Sequence, residues 1–522
     1  MKKINRLIAV VLCLIMVLAM AACGGKNDAP APAPGNDAPA STPSSDTPTP
    51  GNDVPAEIPT VKVAFTATMD CVDNADVTEQ MNVMLRERYG VQVEMVQIGF
   101  GDLTTKIPLM LTGSDELDLF TNIFTPMTIS SMVANGQILA LDDLLSQYGQ
   151  GIVASGIDQF FAASTVNGKL YGIPTNGAFA TMNLYLVRKD VSDAVLAELG
   201  WKESDVKDYE TLTTFMVKGR EMFPEYYFIP GSTGAGAWYT GTNTGTFDFL
   251  GVPNSLVALM DPANSTQVVS YFASEEFQNA CKYARIWKEK DLIIPDALSQ
   301  SEALKAQMQY GRIAGTPSGA FSAENDAASY TNSFGFECVG LPLSEPYTVS
   351  TSFTNNWCIN ANSKHPDAAM KVLNAFYTDA DIANLLMNGR EGKEYEVHED
   401  GRVFYPDGQN MSTVGWTTGA QWIFPNQMLS VVWEPNPLSY YEDMKEVQSS
   451  AVKSKAIGFV PDTESVTNQI TSCVNVVNTY AGALLYGEAD DAAYARFMEE
   501  LEAAGINDII AEVQSQLDAF LG

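Results

Sequence analysis

The stretch that decides the fold is Thr60-Val61-Lys62-Val63-Ala64-Phe65-Thr66, then, after a polar loop, Asp76-Val77-Thr78-Glu79-Gln80-Met81-Asn82-Val83-Met84-Leu85, closed by Gly90 and Val91-Gln92-Val93-Glu94-Met95. Val61, Val63 and Phe65 alternate with Lys62, Ala64 and Thr66, the period of a half-buried strand. Asp76 reads as a helix cap, and Glu79 three places on completes a capping box. The helix sets Val77, Met81, Met84 and Leu85 on one face, and Gly90 stops it. Val91, Val93 and Met95 then begin a second strand. Strand, helix and strand within about 35 residues make a βαβ unit with parallel strands. A third apolar strand, Leu117 to Asn122, follows another short helix. In such α/β sheets ligands sit beyond the carboxyl ends of the strands, which directs attention to the loops after Phe65 and Phe120.

Upstream of this unit the chain reads differently. Lys2, Lys3 and Arg6 precede an almost purely apolar run, Leu7 to Met20. The run is short for a bilayer span and suits an export signal. It ends at Met20-Ala21-Ala22-Cys23-Gly24-Gly25, which resembles the lipobox of bacterial lipoproteins, with Met20 where leucine is usual. The resemblance implies a signal peptide over 1–22, acylation of Cys23, and a lipid anchor at the extracytoplasmic face of the cell membrane. Residues 23–59 read as a disordered tether. Nine of the 26 prolines fall within it, among Ala, Gly, Ser, Thr, Asn and Asp, so little can be buried to offset the ordering entropy. Its reach is ~30 Å as a flexible coil.

The body from Thr60 onward is long enough for two or three domains, and 46% of the chain is hydrophobic. With 63 acidic residues against 30 basic ones, the net charge is −33. That balance repels phosphate backbones and anionic membrane surfaces, so no nucleic-acid partner is expected. Seven cysteines occur without a CxxC pair, which suggests neither a zinc knuckle nor a redox motif. Five of them, Cys71, Cys281, Cys338, Cys358 and Cys473, lie in the body, and an odd number leaves at least one unpaired within the chain.

Several segments, in order, resemble one family. Asn167-Gly168-Lys169-Leu170-Tyr171-Gly172-Ile173-Pro174 is similar to the GKLYGIP segment of bacterial family 1 extracellular solute-binding proteins, followed there by a strand crossing between lobes, here Ala180 to Val187. Pro366-Asp367-Ala368-Ala369-Met370-Lys371-Val372-Leu373-Asn374 resembles a helix of that family. Asn388-Gly389-Arg390-Glu391-Gly392-Lys393-Glu394-Tyr395, Ala456 to Asp462, and the end from Ala504 to Phe520 resemble the LplA/LipO-type lipoproteins of ABC sugar transporters. The resemblance implies a two-lobe, periplasmic-binding-protein-like (type II) α/β fold with a hinge and an interlobe ligand cleft. Lobe one is expected over 60–176 plus 336–392, and lobe two over 177–335 plus 393–522 with a family-specific C-terminal region. It also implies a monomer that captures a small solute, an oligosaccharide, and passes it to ABC permease subunits.

Sugars offer CH-bearing faces to aromatic rings and hydroxyls to amides and carboxylates. Trp238, Tyr239, Trp357, Trp416, Trp422 and Trp433 stand in loop-like or polar surroundings and are the aromatic candidates; Trp287, on an amphipathic run, reads as core. Asp70, Asn122, Asn176 and Asn356 lie at predicted strand ends and are the polar candidates. A peptide or amino-acid ligand is the alternative, and needs a charged pair for the zwitterion. Only two histidines occur, His365 and His398, both in turn-like settings, so a Ser-His-Asp triad or a multi-histidine metal site is poorly supported. No cofactor, metal or enzymatic activity is expected. A surface glycosidase needs only two carboxylates and, with an adhesive lipoprotein, completes the set of readings.

Overall fold

The computed structural model describes residues 57–67, 69–113, 117–123, 128–232, 244–300, 304–320, 330–331 and 334–522. The signal and tether up to residue 56, with Cys23, and the Trp238-Tyr239 pair lie outside the described residues.

The opening unit forms as its pattern dictates. Strand β1 (Thr60–Phe65) is followed by helix α1 (Asn74–Tyr89) and strand β2 (Gln92–Gln97), and β1 pairs with β2 in parallel from Thr60↔Gln92 to Phe65↔Gln97. Val77, Met81 and Leu85 are buried, and Met84 packs at the edge of the same core. Gly90 ends α1 in the left-handed region at φ 66°, which glycine adopts without a Cβ penalty. The helix begins three residues earlier than the capping box at Asp76 predicts: its N-cap is Asp73, whose carboxylate makes no cap hydrogen bond. That carboxylate is held by Arg390 and Lys393 instead.

Helix α2 (Leu103–Thr112) leads to β3 (Leu119–Thr121), parallel to β1. Downstream come β4 (Ile173–Pro174), β5 (Met182–Arg188), β6 (Gly315–Ala320), β7 (Cys338–Pro342), β8 (Tyr347–Thr348) and β9 (Asn356–Ile359). Then follow α3 (Pro366–Thr378), α4 (Ala380–Asn388), α5 (Tyr440–Ser450), β10 (Val452–Lys453), and three C-terminal helices, α6 (Thr467–Leu485), α7 (Asp491–Ala503) and α8 (Ile506–Leu521).

Among the described residues two larger sheets result, beside four two-stranded pairings that include β8 with β10. The first has the order β2-β1-β3-β9-β4, with β9 antiparallel to β3 through Trp357↔Thr121. The second is β6-β5-β7, antiparallel throughout. Each carries its own core. Val61, Val63, Phe65, Leu119, Phe120 and the buried faces of α1, α3 and α4 make the first. Tyr185, Leu186, Phe215, Phe228, Trp287 and Leu341 surround the second sheet. A third cluster joins Leu256, Leu259 and Phe272 to the C-terminal helices. Three chain segments cross between the sheets: residues 175–181, 343–355 and the approach to β10.

Two boundary expectations are corrected. Residues 336–352 are expected in the first lobe, yet β7 pairs with β5, and Cys338, Leu341 and Leu343 pack in the second core. Residues from 393 onward are expected in the second lobe, yet Trp416, Ile423 and Phe424 pack in the first core. Trp416 stacks on Phe65 with centroids 5.4 Å apart, and its indole N–H donates to the Leu386 carbonyl at 3.1 Å. The chain returns to the first half before leaving it again along α5. All five body cysteines are buried and unpaired. Burial pushes the Cys71, Cys338 and Cys473 thiols up to about 11, and Cys281 to about 12. Among the described residues no helix is long and apolar enough to cross a membrane.

Because Trp416 is fully buried while Trp422 is 41% exposed, their truncations should separate. Trp416→Ala is expected to cost about 4 kcal/mol, the range for a large aromatic removed from a core, and Trp422→Ala less than about 0.5 kcal/mol; urea unfolding followed by circular dichroism measures both.

Candidate functional site

The carboxyl end of the first sheet faces residues of the other half across a cavity of about 240 Å3. Asn122, Ile129 and Asn356 come from the first half; Leu250, Gly251 and Val460 come from the side of the third core. Its position beyond the end of β3 is where parallel α/β sheets place ligands.

Asn122 and Asn356 both reach this cavity, but their amides are committed to holding its floor. Where β3 runs out, the Asn122 side-chain oxygen accepts from Asn356 N at 2.8 Å, and Asn122 N donates to Asn356 O at 3.0 Å. The Asn356 side-chain oxygen accepts from Ser164 Oγ at 2.5 Å, and its amide nitrogen donates to Thr354 O at 2.9 Å. These pairings knit β9 to β3 and to the segment around Ser164. Both therefore support the wall of the cavity they line. The neighbouring Asn355, half-buried on the same wall, makes no side-chain hydrogen bond among the described residues, and Thr351 likewise leaves its hydroxyl unspent.

The opposite rim is fixed by a buried carboxylate. Asp248 is fully buried and accepts from Leu250 N at 3.0 Å, Ser350 N at 2.7 Å and Ser350 Oγ at 2.7 Å. It ties the 248–251 turn to the crossing segment before β9. Gly251 sits at φ 72°, a backbone conformation that favours glycine, and a Cβ there would crowd the Thr351 methyl at 3.1 Å. Neither Asp248 nor Gly251 carries a local sequence signal, because their partners lie about a hundred residues away.

The remaining candidates disperse. Trp357 is 1% exposed and donates its indole N–H to the Ile423 carbonyl at 3.1 Å; with Trp416 it fills the first core, and neither ring offers a face to a ligand. Polar neighbours in sequence made both look loop-borne, while a backbone carbonyl satisfies each indole inside. Trp433 is half-buried, tilted against Tyr405 at 4.4 Å, and donates to the Asn388 side-chain oxygen at 3.0 Å. Trp422 stands exposed in the turn beside Gly177. Asn176 lines a second cavity, with Phe160, Phe179 and Phe353, that the sequence did not reveal. Asp70 is exposed in the loop after β1.

That loop is anchored by the Arg390–Tyr395 motif. Glu394, 1% exposed, accepts from Arg390 N at 2.7 Å, Nε at 2.9 Å and Nη2 at 2.6 Å. The same Arg390 Nη2 and Lys393 Nζ each reach Asp73 at 2.5 Å. The Lys393 hydrogen bond, with help from Arg390, holds the Asp73 carboxyl below its ordinary range.

Two outcomes follow from these contacts. Asp248→Ala leaves buried N–H groups unpaired and should destabilise by about 3 kcal/mol in urea titrations. Asp73 has a folded pKa below its unfolded value, so its contribution is whole above about pH 4 and is lost as pH falls through the lower folded value. Stability measured from pH 6 down to pH 2 should therefore decline less steeply in Asp73→Asn than in the parent.

Residues 80–390 match the bacterial extracellular solute-binding protein family, and residues 455–522 match a domain of unknown function (DUF3502). A carbohydrate ABC transporter substrate-binding protein of Streptococcus pneumoniae is 25% identical over 469 residues, covering 87% of this chain and 89% of that protein. Among solved structures, the N-glycan transport solute binding protein NgtS of Streptococcus pneumoniae superposes with a TM-score of 0.74 at 23% identity, covering 89% of this chain and 99% of that one. An extracellular solute-binding protein from Bifidobacterium longum subsp. infantis does so at 0.61 and 13% identity, over 89% and 99%. The fold is the two-lobe α/β architecture of these proteins. With more than half of its length matched, this chain belongs to the bacterial extracellular solute-binding protein family.

Proposed function

We propose that this protein is the solute-binding component of an ABC importer and captures an oligosaccharide between its two lobes. The observation that carries the reading is a cavity at the carboxyl end of β3 lined from both halves, whose lining among the described residues offers hydroxyl, amide and aliphatic groups and no ionised side chain. Such a lining suits a neutral, hydroxyl-rich guest. A zwitterionic peptide or amino acid needs a charged pair, which these walls lack. The reading is supported by the relative named as a carbohydrate transporter component and by NgtS, solved with Man1GlcNAc and with Man5GlcNAc.

In this reading lobe one comprises 60–176, 353–392 and the returning segment to about 430, and lobe two the rest of the body. Closure swings the Gly251 and Val460 rim toward Asn355, so contacts are completed only when the gap shuts. The family places the protein outside the cytoplasm. Cys23 carries the lipid anchor, residues 24–59 give the body reach beside the membrane, and the monomer hands its guest to permease subunits.

The test uses the chain with Cys23→Ser, so that no lipid is attached, in a thermal-shift and calorimetric screen of oligosaccharides, amino acids and peptides. A mannose- or N-acetylglucosamine-containing oligosaccharide at a hundred times its Kd should add about 2.7 kcal/mol of stability. Asn355→Ala should weaken that binding roughly tenfold, the cost of about one ligand hydrogen bond, with the unliganded melting temperature unchanged. Binding of amino acids or peptides in place of every sugar would sink the reading.

A further inference from the structure

The second cavity, about 310 Å3, shares three segments with the first as a common wall. Phe160 faces it while Ala163 faces the other; Phe353 alternates with Thr351 and Thr354, and Ile457 with Val460. At the middle of that wall Gly458 presses on Ala162, since a Cβ there would lie 3.2 Å from the alanine Cβ. The two cavities thus lie back to back.

Their linings differ in kind. In the second, the half-buried Phe160 ring stacks on Phe353 at 4.1 Å and 11°, and Phe179 closes against Phe353 at 4.6 Å. Around this apolar floor stand Asn176, Gln448, Lys445 and Lys453, and among the described residues no carboxylate lines the cavity. Asn176 makes no side-chain hydrogen bond among the described residues. Gln448 donates to Gly177 O at 2.7 Å, which fixes its amide and leaves its oxygen to accept. Neither Lys445 nor Lys453 forms an ion pair among the described residues, whereas the adjacent Lys455 donates to Asn264 O at 2.8 Å. In a chain with 63 acidic and 30 basic residues, two uncommitted ammonium groups on one acid-free cavity make a local positive field against a negative whole.

We propose that this cavity is a second binding site, for a carboxylated sugar ring. The ring lays its CH face on Phe160, its carboxylate is taken by Lys445 and Lys453 through charge-assisted hydrogen bonds, and its hydroxyls meet Asn176 and Gln448. A cavity of this size lies at the lower end of small-ligand sites and accommodates one or two sugar rings. The ring has two possible sources, the acidic end of a captured glycan or a free acidic sugar. The site does not depend on the reading of the first cavity.

The experiment is calorimetric titration of the Cys23→Ser chain with glucuronic acid and, in parallel, glucose. Glucuronic acid should bind saturably and at least roughly tenfold more tightly than glucose, and more weakly as salt rises. The double variant Lys445→Gln/Lys453→Gln should lose roughly tenfold or more in glucuronic acid affinity at an unchanged melting temperature, and the double Arg variant should retain most of it. Competition by a mannose-containing oligosaccharide assigns the ring to one end of the captured glycan, and its absence to a separate effector; either result keeps the site. Equal affinity for glucose and glucuronic acid, no saturable glucuronic acid binding, or binding indifferent to the Gln pair overturns the proposal.

Discussion

Thr181 and Tyr347 exchange backbone hydrogen bonds of 2.8 and 2.7 Å, and on the other side of Tyr347 the β8 strand accepts β10 through Val452 N to Pro346 O at 2.9 Å and Ser454 N to Thr348 O at 3.0 Å. These few bonds align the three crossing segments side by side, and every interlobe feature is built on them. Because the donors and acceptors are main-chain, the strip resists shear but permits bending about a handful of residues. The two cavities, their shared wall and the rim held by Asp248 all take their positions from this narrow strip.

What the amino-acid sequence disclosed followed the range of its signals. Alternation at Val61, Val63 and Phe65 and the stop at Gly90 are local, and they set the parallel unit and the end of the sheet that carries the site. The helix start at Asp73 was not legible, because the competing partners of its carboxylate, Arg390 and Lys393, lie more than three hundred residues away. Trp357 and Trp416 misled for a related reason. Each sits among polar neighbours in sequence, yet its indole N–H finds a backbone carbonyl within the core. Asn122 and Asn356 were placed at the site by their strand-end positions, but whether an amide meets a ligand or a strand depends on pairing that no spacing encodes. Asn355 and Gly251 meet at the first cavity from segments about a hundred residues apart, Lys445 lines the second, and none of them had a local pattern.

Two buried carboxylates divide the work of holding loops near the cavities. Glu394 is enclosed by its own arginine and, through it, by Asp73, so a charged cluster docks the loop after β1. Asp248 has no cation among its hydrogen-bond partners and is satisfied by backbone and hydroxyl donors. A fully hydrogen-bonded buried charge of this kind fixes one geometry, because any displacement strands its donors. The residues that resemble a family motif around Arg390 are thus explained by scaffolding of a loop, with no need for contact with a guest.

The five thiols of the body bear on life outside the cell. A thiol reacts with oxidants and disulfides as its thiolate, and in the folded chain burial both raises the thiols' proton affinity and removes their access. Among the described residues, the folded body therefore needs no crosslink in an oxidising medium and keeps its five sulfurs out of reach. An unfolded body would expose five sulfurs, an odd number with one left partnerless, so burial in the cores does for this chain what disulfide pairing does in many secreted proteins.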